Sequence, residues 1–226
     1  MRLEGLPHRP EHTANTLSAL RYPEGVDASL VGKIAAHGVI VAGGLHPEIR
    51  NTYFRVGHMG YAATRPAAIA VCASPNDAAT CVGWARETGT PFAVRSGGHS
   101  YAGFSTSPGL VINVRAMNEV AVWPSDGTVT VAAGVNNADF ADAIDPYAVY
   151  VPGGRCPTVG LSGLTLGGGW GFSCRHFGLT CDSLVSTDVA VASGEIVTAS
   201  ATQNADLFWA LRGGAGGNFG VNTSFT

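Results

Sequence analysis

The chain has 226 residues, 46% of them hydrophobic and 13% charged, with a formal net charge of -3 at pH 7. That balance belongs to a core-forming globular chain of one or two domains and argues against intrinsic disorder. A slightly acidic surface offers no basic footprint for nucleic acid. No apolar run approaches the roughly 20 residues that cross a bilayer, and residues 1–20 lack the uninterrupted apolar stretch of a secretory signal, so no membrane association and a cytoplasmic location are the default expectations.

In chain order, the first 64 residues read as a small α+β piece: TLSALRYPEG, a helix-like DASLVGKIAAHG, then VIVAGG and TYFRVGHMG. Such a piece is too short to bury a stable core alone. From Ala67 the pattern sharpens, with AAIAVCA as a buried strand. Ser74-Pro75-Asn76-Asp77 then supplies an N-cap, a proline at the first helical position and an acidic first turn. Ala78, Val82 and Ala85 form a helical stripe, Gly89 ends the helix, and Pro91 to Arg95 starts a second strand parallel to the first. The next stretch, VRSGGHS, therefore falls at the carboxyl end of a parallel strand, where open α/β sheets bind ligands.

The texture then turns to β: LVINV, EVAVW and TVTVAAG, the last two joined by the turn Pro124 to Gly127. A short helix is expected around Ala138 to Ala143, and a hairpin around Ser193-Gly194. A helix capped by Asn204 should stop at Gly213. GVNTSFT alternates like a strand that is interrupted at the chain end, which suggests a fragment or a truncated gene product.

Cys72, Cys81, Cys156, Cys174 and Cys181 are an odd set without CxxC spacing, fitting neither a disulfide framework nor a zinc site. No metal is expected. Glycines cluster at Gly97-Gly98, Gly153-Gly154, Gly167-Gly168-Gly169 and Gly213 to Gly217, where backbone must turn sharply or approach a ligand. No GxxxxGK[ST] occurs, Phe172 and Phe219 spoil GxGxxG, and Gly160-Leu161-Ser162-Gly163 does not complete GxSxG. Taken alone, SGGHS reads either as a tight turn or as a backbone amide nest for an anion, built from Ser96 to Ser100.

Together, VRSGGHSYAGFS, PGGRCPTVGLSGLTLGGGWGFSCRHFGLTCDSL and NADLFWALRGGAGGNFGVNTSF resemble the PCMH-type FAD-binding domain of berberine bridge enzyme-like oxidoreductases, over about residues 65–226. The resemblance implies an α+β fold of two subdomains with FAD extended across them and its pyrophosphate on Ser96, Gly97, Gly98, His99 and Ser100. It implies that His99 bonds the flavin C8 methyl, and that Cys156, as in bicovalent members, forms a thioether to C6. A neutral imidazole nitrogen is a nucleophile near neutral pH, which makes the first attachment chemically sensible. Val159, Gly160, Ser162, Gly163 and Gly167, Gly168 and Gly169 match the second FAD-contacting segment. Asp182 and Val221 fall in further segments of the family, Val221 as a cofactor contact. Trp170 and Trp209 are expected in the core, and the remaining cysteines are read as structural. The implied activity is oxidation of a small organic substrate by hydride transfer to flavin N5, with oxygen as acceptor. The substrate domain that supplies the catalytic base in this family is expected to be missing after Thr226, which leaves catalytic residues unknown.

Residues 14–63 resemble the C-terminal part of class V aminotransferases of the alanine-glyoxylate or serine-pyruvate group, through NTLSALRYPEG and LVGKIAAHGVIVAGGLHPEIRNTYFRVGHMG. That resemblance makes Arg55 a vestigial substrate-carboxylate ligand. Pyridoxal phosphate chemistry needs a Schiff-base lysine, and Lys33, the single lysine of the chain, reads as a solvent-facing helix position. The domain expectation is therefore an aminotransferase-like segment over 1–64 and an FAD-binding domain over 65–226. The alternatives are an inactive aminotransferase remnant or a non-catalytic chimeric fragment.

Overall fold

The computed structural model describes residues 66–226 continuously and, before them, residues 4–5, 17–22, 27, 29–30, 33, 42–43 and 53–57. The chain divides into two compact units, residues 1–63 with 101–103 and residues 64–100 with 104–226. In the first unit, β1 (Glu4–Gly5), β2 (Leu17–Arg21), β3 (Ala42–Gly43) and β4 (Tyr53–Gly57) form an antiparallel sheet in the order β1-β2-β4-β3. Residues 29, 30 and 33 are helical, and Lys33 is exposed, as its sequence position implies. Hydrogen bonds from Ser29, first from its side chain and then from its amide at 2.9 Å, hold the Asp27 carboxyl below its usual range. The junction at Tyr61 to Arg65 and the side chain of Arg55 lie outside the described residues.

The second unit opens with β5 (Ala68–Val71), α1 (Pro75–Thr88) and β6 (Phe92–Arg95). Helix α1 has the ends its sequence specifies: Ser74 and Asp77 exchange a capping box, Pro75 stands at the helix start, and Gly89 closes the helix at φ 65°. Its stripe of Ala78, Val82 and Ala85 is buried. Strand β7 (Leu110–Asn113) inserts between β5 and β6, parallel to both. It is the central strand, and Leu110, Val111 and Ile112 are all buried. One expectation fails at β5, where Ile69 and Val71 are 58% and 66% exposed. The reason is position: β5 is an edge strand of a three-stranded sheet, paired on one side only.

β8 (Val120–Trp123) and β9 (Thr128–Ala132) form the expected hairpin, followed by α2 (Asn137–Ile144). After two short helices, α3 (Leu161–Leu166) and α4 (Cys174–Phe177), come β10 (Ser186–Ala190), β11 (Ile196–Ser200), α5 (Ala205–Leu211) and β12 (Val221–Phe225). The second sheet runs β11-β10-β12-β9-β8, all antiparallel. As expected of GVNTSFT, β12 is a strand; it pairs with β10 and β9, and Val221, Asn222, Thr223 and Phe225 are buried.

Helix α1 packs against β7 of the parallel sheet and against β10, β11 and β12 of the antiparallel one. One core cluster therefore runs from Cys72 and Ile112 through Val82 to Val189 and Phe225. Arg86 secures the far end of the helix by donating to the carbonyls of Ala192 and Ser193 at 3.1 and 2.9 Å in the β10–β11 turn.

Other expectations are corrected in α5 and the glycine turn. Asn204 does not cap α5 with its side chain; it sits at φ 49° and its amide donates to Thr198 carbonyl at 2.7 Å. Trp209 and Trp170 are 80% and 61% exposed, not in the core. Trp209 falls opposite Phe208 and Leu211, the buried positions of α5, and Trp170 packs only edge-on against Phe172. Among the described residues, no helix is long and apolar enough to cross a membrane, and no group of His, Cys, Asp or Glu side chains is placed to hold a metal ion.

Candidate flavin-binding cleft

The loop Ser96 to Ser100 leaves β6 at its carboxyl end and is pressed at once against a second loop. An atom added at Cα of Gly97 would overlap the Gly160 backbone nitrogen, and one on Gly160 would overlap Gly97 nitrogen and Ser96 Oγ. Glycine is required on both sides by this approach. Gly98 lies at φ 74°, a left-handed turn, with the Arg95 guanidinium alongside its Cα. Among the described residues, no backbone amide from Gly97 to Ser100 donates to protein. A turn of free amides beside a guanidinium fits an anionic ligand such as a pyrophosphate.

The second loop, residues 153–163, is tied to the amino end of α2. Asn137 and Ala138 amides donate to the carbonyls of Val159 and Pro157, both at 3.0 Å, and the Asn137 side chain donates to the Cys156 carbonyl at 3.0 Å. The Leu161 amide donates back to Val135 carbonyl at 2.9 Å. These bonds fix the backbone on both sides of Thr158, whose carbonyl abuts Gly97. Thr158 Oγ1 then lies 2.9 Å from His99 Nε2, joining the two loops side chain to side chain. His99 and Cys156 are both exposed, and Cys156 is a free thiol.

The remaining glycine segments come to the same region. Leu166 carbonyl accepts from the amides of Gly213 and Ala215 at 3.1 and 2.9 Å, and a Cβ on Gly217 would touch Val94 of β6. Gly169 carbonyl accepts from the Thr180 amide and hydroxyl at 3.0 and 3.1 Å. The structure thus gathers the segments of Gly97, Gly160, Gly167 to Gly169 and Gly213 to Gly217 around the carboxyl end of β6.

Four predicted contact residues play inward roles. The hydroxyls of Ser96 and Ser162 both donate to the Ala133 carbonyl at 2.8 Å, so they brace the cleft floor and are spent on the protein. Ser100 Oγ accepts from the Phe104 amide at 3.2 Å. Val221 is fully buried at the start of β12, where it pairs with Ala190 of β10, and presents no surface to a ligand. Asp182 is structural as well, accepting from the Leu179 amide at 2.9 Å and pairing with Arg212 at 3.4 Å. Val159 is half-buried, while Gly163 and Gly167 are exposed.

Thr158, Asn137 and the Ala133 carbonyl escaped the sequence reading. Thr158 lay in plain view inside GGRCPTVG, but its partner is 59 residues away in the chain. A cavity of about 280 Å³ lined by Phe140, Tyr150, Leu161, Thr165 and Phe225 contains neither His99 nor Cys156.

Comparison with known proteins identifies a flavin-binding family. The family described as FAD binding domain matches residues 66–200. An uncharacterized FAD-linked oxidoreductase of Bacillus subtilis (strain 168) is 41% identical over 166 residues, covering 71% of this chain and 37% of the relative. The structure of xylooligosaccharide oxidase from Myceliophthora thermophila C1 in complex with xylobiose is 41% identical, with a TM-score of 0.69 over 72% of this chain and 35% of that one. Glucooligosaccharide oxidase from Acremonium strictum, described with a 6-S-cysteinyl, 8α-N1-histidyl FAD, is 35% identical with a TM-score of 0.66, covering 72% of this chain and 34% of its own. The chain spans about a third of the length of these relatives. The family match covers more than half of the chain, and the chain belongs to the FAD binding domain family, with FAD-linked oxidoreductases among its relatives.

Proposed function

We propose that this chain is the FAD-binding part of an oxidase whose flavin is tethered twice, to His99 and to Cys156. The observation that carries the reading is the contact between His99 and Thr158, which brings the histidine loop and the loop of Cys156 together at the rim of one glycine-lined cleft. Gly97, Gly98, His99 and Ser100 offer their amides, with Arg95 beside them, to the pyrophosphate. Val159, Gly160, Gly163 and the Gly167 to Gly169 turn supply small residues where the ribityl and ring approach. When bound, FAD accepts a hydride at N5 from a substrate C–H bond and passes the electrons to dioxygen. Supporting this, an oligosaccharide oxidase with both linkages is 35% identical. The substrate is proposed as a small organic molecule, a reading supported by relatives named xylooligosaccharide oxidase and (R)-6-hydroxynicotine oxidase.

Acid precipitation of the purified chain tests the tether. The chain should stay yellow, and tryptic peptides 96–115 and 156–175 should carry the flavin between them. His99→Ala and Cys156→Ala should each keep one bond, and the double variant none. Flavin that remains covalent in the double variant would sink both assignments.

For residues 1–64 the proposal is a segment of class V aminotransferase ancestry, with Arg55 in β4 as a retained carboxylate-binding position. The separate antiparallel sheet and a family match that begins only at residue 66 favour it. No transamination is proposed, since Lys33 is exposed on a helix. A continuous transcript across Tyr61 to Ala67 would support a fused gene; two separate messages would refute it.

A further inference from the structure

We infer that Thr158 is a positioning residue for the covalent tether: its hydroxyl engages Nε2 of His99 and so leaves Nδ1 as the ring nitrogen that bonds the flavin. This rests on the proposed attachment at His99. A neutral imidazole has one N–H and one lone pair, and the nitrogen that keeps the lone pair is the nucleophile. With Thr158 Oγ1 at 2.9 Å from Nε2, the tautomer in which Nε2–H donates to the hydroxyl puts the lone pair on Nδ1.

The same hydroxyl suits the product as well as the reactant. Once Nδ1 is alkylated and the ring is neutral again, Nε2 has lost its proton and become an acceptor. A threonine hydroxyl both accepts and donates, so it reverses the direction of the bond without moving. A purely donating or purely accepting side chain could serve one state only. Placement is equally constrained: Asn137 and Ala138 anchor the carbonyls on either side of Thr158, and its own carbonyl abuts Gly97. The hydroxyl is therefore presented by fixed backbone, which is what orientation needs in order to act on a rate.

The step balances as follows. A bond forms between Nδ1 and the 8α carbon, replacing one C–H of the methyl and the single N–H of the neutral ring. Two electrons and two protons pass to the isoalloxazine and then to dioxygen, which leaves as hydrogen peroxide. Only dioxygen is needed as co-reactant.

The test uses the full chain, produced free of flavin and mixed with FAD in air, as wild type, Thr158→Val and Thr158→Ser. Adduct on peptide 96–115 is followed by mass spectrometry and expressed per molecule of bound flavin, so that weakened binding does not pass for slowed bonding. Loss of one well-placed hydrogen bond should slow attachment in Thr158→Val by on the order of tenfold, while Thr158→Ser stays within about threefold of wild type. NMR of the isolated histidyl-flavin peptide from wild type should show the bond at Nδ1. Equal rates for Thr158→Val and wild type, or a bond at Nε2, would overturn the role of Thr158 and leave the tether itself standing. Absence of any wild-type adduct would overturn the tether, and the role of Thr158 with it.

Discussion

Gly97 and Gly160 meet backbone to backbone, close enough that a single methyl on either would occupy the other's peptide nitrogen. Because the atoms nearest Gly97 are all main chain, and Gly160 meets the Gly97 nitrogen as well as Ser96 Oγ, the strain cannot be relieved by a rotamer change alone. Gly97→Ala should therefore destabilise the chain by about 1–3 kcal/mol and part the two loops, and Gly160→Ala should do the same. Flavin retention should fall with it, since the amide nest and the loop of Cys156 separate. The two substitutions together should cost less than their sum, because the contact can be lost only once. Thermal unfolding and flavin fluorescence check both points. A Gly97→Ala chain with wild-type melting and wild-type flavin content would refute them.

The Ala133 carbonyl gives a second prediction. It accepts from Ser96 of one loop and Ser162 of the other, each at 2.8 Å, and among the described residues it has no further partner. Ser96→Ala or Ser162→Ala alone should cost about 1 kcal/mol, the ordinary net value of one hydrogen bond. The double variant leaves a carbonyl in the cleft floor with neither serine, so its cost should exceed the sum by about 0.5 kcal/mol or more. A double-mutant cycle in urea reads the coupling directly, and strict additivity would mean that the two hydroxyls do not act through a common acceptor.

How far the sequence discloses this molecule depends on how local each determinant is. Helix α1 is wholly legible, because Ser74, Pro75, Asp77 and Gly89 specify its ends within 16 residues and its buried stripe follows the helical period. The hairpin of β8 and β9 is legible for the same reason. The strand AAIAVCA is legible as a strand and misleading about burial, since an apolar run does not reveal that β5 lies at a sheet edge with Ile69 and Val71 outward. Trp170 and Trp209 mislead similarly: size and apolarity suggest the core, and only the packing of Phe208 and Leu211 shows which face of α5 is inward. In the cleft, the glycines and His99 stand out as motifs. The assignments of Ser96 and Ser162 do not follow from those motifs, because their acceptor, Ala133, is a main-chain atom that any residue could supply.

Cys72, at the end of β5, is buried, and burial followed by the nearby Cys81, 4.0 Å away sulfur to sulfur, pushes its pKa up to about 12. A thiol is the weaker nucleophile when protonated. In the folded chain produced free of flavin, iodoacetamide at pH 8 should therefore modify the exposed Cys156 first and Cys72 last, with Cys72 reacting only as fast as the chain unfolds. The same shift has a sign for stability. A group whose folded pKa lies above its unfolded value of about 9 favours the native state fully below that value, where both states hold the proton. As pH rises through that value toward 12, the unfolded chain releases the proton more readily, and stability is lost progressively. Urea unfolding at pH 8 and at pH 10.5 should show a fall that is smaller in Cys72→Ala, because the substitution removes the titrating group. An equal fall in both chains would place the alkaline sensitivity elsewhere, and fast alkylation of Cys72 in the folded protein would mean that β5 opens locally at its end.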